Sequence, residues 1–114
     1  MTGLIQVFIT AGSREEGARI VDALVRNRLA ACGQILGPIQ STYWWQGKVE
    51  SSEEWMCLAK SQEEKFAEIV RLVKEMHSYK VPEIIAVPLI AASDSYEQWV
   101  REEMSERKDE REKS

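Results

Sequence analysis

Chemistry in this 114-residue chain has to begin from one histidine, His77, and two thiols, Cys32 and Cys57. Imidazole and thiolate are good donors for borderline divalent ions. A self-contained structural zinc site, however, normally takes four such ligands, which one chain cannot supply. There is no Cys-x-x-Cys pair, and both cysteines sit among apolar residues, a setting that suits reduced, buried thiols better than a disulfide framework. His77 falls at the end of a helical pattern, where a ring either meets the last carbonyls or ligates an ion. An enzyme needs a nucleophile and base, or an acid and base, converging in one pocket; no motif sets such a partner for His77, and the chain is read as a non-enzyme. Lys60, Tyr79 and Glu83 fall near strand ends and in the loop before the last strand. A cleft between subunits could bring them together, and a surface ion pair is the plainer reading.

The elements that position these groups follow from periodicity. Residues 4–10 are almost continuously apolar and predict a central strand. Ser13 with Glu16 forms a capping pattern, and Ala18, Val21, Leu24, Val25 and Leu29 give an apolar stripe, predicting a helix over about 14–29. Ser61 with Glu64 repeats the pattern before Phe66, Ile69, Val70, Val73 and Met76, predicting a second helix over about 62–76. Residues 83–90 read as a fourth strand, and Asp94 with Glu97 as the start of a short third helix carrying Tyr96, Trp99, Val100 and Met104.

Between the two long helices lies a hairpin. Tyr43, Trp44 and Trp45 precede Gln46-Gly47, and glycine supplies the positive φ of a tight reversal. The arms, residues 39–45 and 49–60, are long and rich in β-branched and aromatic residues; the first belongs to a second strand over 35–45 in which Gly37-Pro38 marks an edge or bulge, and Ser51-Ser52 is a candidate bulge in the other. Trp44 and Trp45 must leave the strand on opposite faces, so one is expected to face inward while the other needs outside cover. Together with Tyr43 and Trp55 they are assigned to an interface with further copies of the chain. Strand, helix, strand, strand, helix, strand and a short helix make an α+β, ferredoxin-like split βαβ sandwich with a long central hairpin. Residues 1–105 form one domain and 106–114 a charged tail.

Composition bounds the partners. The net charge of −4 argues against a nonspecific hold on nucleic acid, and the aromatic and basic ribonucleoprotein segments that this fold uses to bind RNA are absent. No apolar run approaches a membrane span, and the first residues lack the basic start and apolar core of a signal peptide, so a cytoplasmic chain is expected.

Four stretches taken together carry a resemblance. Leu29-Ala30-Ala31-Cys32, Tyr43-Trp44-Trp45-Gln46-Gly47-Lys48, His77-Ser78-Tyr79 with Val81-Pro82-Glu83-Ile84-Ile85-Ala86, and Tyr96-x-x-Trp99 resemble the CutA family of divalent-cation tolerance proteins, in order, over roughly residues 4 to 100. The resemblance implies a ferredoxin-like protomer in a compact homotrimer similar to PII-type signalling proteins. It also implies a role in tolerance of copper and other divalent metals, with His77 and Cys32 as ligands and no organic cofactor. The alternative is a PII-like signalling module that takes a small molecule or partner protein at intersubunit clefts near Lys60, Tyr79 and Glu83. Family members often read His-Pro-Tyr-Glu where this chain has His77-Ser78-Tyr79-Lys80, which places a basic group beside the histidine and lowers the expected affinity for a cation.

Overall fold

The computed structural model describes residues 2–105, so the charged tail assigned to 106–114 lies outside the described residues. Four strands, β1 (Leu4–Ala11), β2 (Cys32–Trp45), β3 (Lys48–Gln62) and β4 (Ile84–Pro88), form one antiparallel sheet in the order β2-β3-β1-β4. Helices α1 (Arg14–Arg26) and α2 (Phe66–Met76) cover one face, and α3 (Asp94–Met104) follows β4. This is the expected ferredoxin-like sandwich.

Alternation along β1 divides the two faces. Ile5, Val7, Ile9 and Ala11 are buried with Ile20 and Leu24 of α1, Ile69 and Val73 of α2, and Cys57 and Ala59 of β3. Leu4 points the other way and meets Val100 and Met104 of α3, which therefore covers one end of the opposite face. The rest of that face carries Phe8, Met56, Leu58, Ile85 and Val87 in cross-strand register. The α1 stripe is rotated from the expected one. Gly17, Ile20 and Leu24 are buried while Ala18 is exposed, and the helix ends at Arg26 because Arg28 takes a positive φ of 58° that breaks the helical course.

Several local expectations change. Ser13 does cap α1, accepting from the Glu16 amide at 3.1 Å. Ser61 caps nothing: it remains in β3, fully buried, and donates to the Leu29 carbonyl at 2.7 Å, while a single 3-10 turn, Glu63–Lys65, leads into α2. Ser93 rather than Asp94 caps α3, accepting from the Tyr96 amide. Ser51 and Ser52 pair regularly with Thr42 and Ser41; the irregularity falls between Leu36 and Ile39, around a cis Gly37-Pro38 bond on the β2 edge. Ser61→Ala tests the first correction. It leaves the buried Leu29 carbonyl without that donor and is expected to lower stability by about 1–3 kcal/mol. Amide exchange should then rise in the segment joining α1 to β2, not in the first turn of α2.

The hairpin outgrows its sheet. Ala11 is the last β1 residue in register, opposite Trp55, so the stretch from Ile39 and Glu54 to the tip pairs only with itself. Gln46 and Gly47 both take positive φ, 49° and 79°, the geometry of a two-residue turn matched to strand twist. Among the described residues no further strand pairs with this extension, and both tryptophans are exposed, Trp44 at 75% and Trp45 at 53%. The expectation that one faces inward fails because β1 ends before reaching them.

Candidate functional site

A cluster of buried polar groups lies where β1, the start of α1 and the end of α2 converge. Glu16, placed by the first turn of α1, turns its carboxylate inward. Oε1 accepts from the Gly12 amide at 3.1 Å, and Oε2 accepts from the Ser78 amide at 2.7 Å. Burial pushes this carboxyl up, but the hydrogen bonds from Ser78 and Gly12, with His77 nearby, outweigh it and hold the group below its ordinary value. Proline, common in the family pattern at the position of Ser78, has no amide proton to donate here.

His77 ends α2, and its side chain is fully buried. Nε2 stands 2.7 Å from the Thr10 carbonyl, which can only accept, so Nε2 carries the ring proton. Nδ1 is then the acceptor, and it receives the Tyr79 amide at 3.0 Å. Both ring nitrogens are occupied by the backbone. The expected metal-ligand role for His77 is at odds with this placement, because no lone pair points to an open position. The Tyr79 ring lies 4.7 Å from the imidazole, centroid to centroid, and its hydroxyl donates to Glu54 Oε2 at 2.8 Å. Burial, then the Glu54 hydrogen bond and charge, push the Tyr79 phenol up to about 12. Cys57, beneath Gly17, is pushed up to about 11 by burial and by Glu16, and remains a neutral core thiol.

Cys32 belongs to a different place. It opens β2 opposite Lys60, which pairs in turn with Gln6 of β1. His77 binds four residues further along β1, about 13 Å away at the usual strand rise. The Cys32 thiol is half-exposed and lies 3.4 Å from the Tyr96 hydroxyl of α3, whose phenol is pushed up to about 12 by burial and by this contact. The expected ligands His77 and Cys32 are therefore not brought together within one chain. Nor are the expected cleft residues: Tyr79 and exposed Glu83 sit toward the Thr10 end of the sheet, while Lys60 sits at the Gln6 end. Among the described residues no group of three or more His, Cys, Asp or Glu side chains converges as a metal site. Of the four aromatic residues assigned to an interface, Tyr43, Trp44 and Trp45 are exposed near the hairpin tip, and Trp55 is half-buried with its indole over Gly37.

Glu16 and Glu54 were missed as members of this cluster. Glu16 reads from sequence as a capping residue, and its second partner, Ser78, is 62 positions away. Glu54 reads as one more charge in a strand.

Residues 5–103, nearly the whole described chain, match the family model for the CutA1 divalent ion tolerance protein. The chain belongs to the CutA1 family. It is 43% identical over 96 residues to the divalent-cation tolerance protein CutA of Archaeoglobus fulgidus, covering 84% of this chain and 93% of that one. The solved structure of the A. fulgidus CutA, described as a periplasmic divalent cation tolerance protein, superposes with a TM-score of 0.87 at 40% identity, covering 90% of this chain and 99% of that one. The chloroplastic CutA of Arabidopsis thaliana is 36% identical over 97 residues, 85% of this chain, and this chain spans only 53% of its length. CutA relatives are thus described as periplasmic and chloroplastic, which overturns the cytoplasmic expectation: that reading rested on apolar patterning at the first residues, and patterning does not fix a compartment. No helix among the described residues is long and apolar enough to cross a membrane. The family is named for tolerance of divalent ions, not for a reaction.

Proposed function

We propose that this CutA protein acts as a homotrimer that binds divalent metal ions, copper foremost, at sites shared between subunits, without catalysing a reaction. The observation that carries the metal reading is the family's relation to divalent ions together with the position of Cys32, a half-exposed thiol at the margin of a largely uncovered sheet face. A thiol is a soft donor suited to copper. Because one chain converges no ligand set among its described residues, further donors must come from a neighbouring copy. Support for assembly comes from the same face and from the hairpin. Leu36 is 55% exposed and Ile85 52%, on the side of the sheet away from α1 and α2, and the projecting hairpin offers long unpaired edges. Closed cyclic symmetry covers such a face and gives each edge one partner.

The test is calorimetric titration of metal-free protein with copper and with zinc at neutral pH, on the parent and on Cys32→Ser. The parent is expected to bind copper, and Cys32→Ser to bind it at least tenfold more weakly. His77→Gln is expected to leave affinity unchanged wherever it folds. Equal binding by the parent and Cys32→Ser removes the thiol from the site. A parent that binds no ion but takes up a nucleotide or metabolite at intersubunit clefts favours the PII-like alternative.

A further inference from the structure

Ala59 lies in the core and Ser61 is buried against the Leu29 carbonyl, so Lys60 between them projects from the other face of the sheet, the one that α1 and α2 leave uncovered. In cross-strand register it forms a row with Cys32 on one side and with Gln6 and Val87 on the other. The adjoining row is Gln34, Leu58, Phe8 and Ile85. Among the described residues no acidic side chain pairs with Lys60, and the side-chain amides of Gln6 and Gln34 have no hydrogen-bond partner. The helix α3 borders these rows: it packs on Leu4, two residues before Gln6 on the same face, and the Tyr96 hydroxyl comes within 3.4 Å of the Cys32 thiol. The result is a notch with an apolar floor, one ammonium and two amides able to donate. We propose that this notch at the foot of α3 binds a small organic monocarboxylate, with the carboxylate on Lys60 and Gln6 and the apolar body over Phe8 and Leu58.

Charge sets the class of ligand. One ammonium with neutral donors balances a single negative charge, whereas a phosphate group, with about two charges at neutral pH, leaves one uncancelled. The floor sets the rest. Phe8 and Leu58 are half-buried and Ile85 beside them is exposed, so an anion that carries an apolar body covers surface that a bare inorganic ion leaves wet. Enclosure of the notch rests on the homotrimer reading, in which neighbouring copies cover this face; a lysine enclosed there needs an anion beside it. The site does not require a metal ion. It is compatible with one, because a bound carboxylate cancels the Lys60 charge, which stands one strand away from Cys32 and by itself opposes a cation there.

Benzoate is the probe, with benzamide, which keeps the ring without the charge, and inorganic phosphate as controls. Titrated into the ¹⁵N-labelled whole protein at about pH 7, benzoate should shift the side-chain amide signals of Gln6 and Gln34 and the backbone amide of Lys60 along one saturating curve, half-complete at about 1 mM or below. Benzamide and phosphate should need about tenfold more or fail to saturate. Lys60→Met keeps the apolar stem of the side chain and should weaken benzoate about tenfold or more while leaving benzamide unchanged; Lys60→Arg should restore benzoate binding. Signals that stay still up to about 10 mM benzoate, a parent that takes benzamide equally well, or a Lys60→Met protein that binds benzoate as the parent does would each overturn the proposal. Sedimentation of the same samples separates the two readings. A monomer that saturates with benzoate keeps the site and removes the homotrimer. A homotrimer that takes no benzoate and comes apart in Lys60→Met assigns Lys60 to a carboxylate of the neighbouring copy and removes the site alone. If Lys60→Met does not fold, the difference between benzoate and benzamide in the parent decides.

Discussion

Replacing Glu16 by leucine is expected to lower the stability of this protein by about 2–6 kcal/mol, a large part of the roughly 5–15 kcal/mol that holds a domain together. The carboxylate satisfies two amides from opposite ends of the sequence, Gly12 at 3.1 Å and Ser78 at 2.7 Å. A buried donor left without its acceptor costs about 1–3 kcal/mol, and leucine strands both. Glu16→Gln should cost about half as much, because its amide keeps one acceptor oxygen and presents a donor where the second stood. The effect is pH-dependent, and its sign follows from the direction of the shift. The Glu16 carboxyl is held below its ordinary value near 4.5, so the folded state binds the proton less readily than the unfolded chain. The carboxylate's contribution is therefore complete above about pH 4.5 and fades as pH falls below it. Urea denaturation at fixed protein concentration should show parent and Glu16→Gln far apart at neutral pH and converging in acid. A constant gap would mean that shape, not charge, explains the loss.

Trp44→Ala combined with Trp45→Ala is expected to abolish the proposed trimer while leaving the isolated protomer almost as stable as before. Both indoles are more than half exposed in the protomer, and substitutions at such positions usually change stability by no more than about 0.5 kcal/mol. If neighbouring copies bury them, each behaves as a core aromatic, whose loss costs about 3–5 kcal/mol. Two such losses per subunit exceed what most assemblies can absorb at micromolar concentration. Sedimentation or light scattering should find a trimer for the parent and a folded monomer for the variant. A trimeric variant, or a monomeric parent, places the interface elsewhere or removes it. Circular dichroism of the variant separates loss of assembly from loss of fold.

The sequence determined the element order, because its causes are local. A nearly continuous apolar run in residues 4–10, stripes at three and four in α1 and α2, and a glycine after Trp45 and Gln46 are each read within a few residues. The strand order β2-β3-β1-β4 then follows from the connections that a split βαβ chain allows. The projecting hairpin was legible too, since both of its arms are longer than β1. Local reading misled where two partners competed for one group. Ser61 has the spacing of a cap, but the Leu29 carbonyl, brought near by the fold, takes its hydroxyl into the core instead.

Only the tertiary structure decided what the chemistry-bearing residues can do. His77 by type and position was a plausible ligand; its two ring nitrogens are filled by Thr10 and Tyr79, whose partnership requires β1 and the loop after α2 to meet. Cys32 lies 45 positions before it in sequence and about four strand residues away along β1, so the two donors never share an ion within one chain. Glu16 joins the N-terminus of α1 to Ser78, a contact that no window of sequence contains. Hydrophobic period is a property of neighbours along the chain and survives in the sequence. A hydrogen bond between side chain and distant backbone is a property of three-dimensional packing, settled only when the sheet brings its members within about 3 Å.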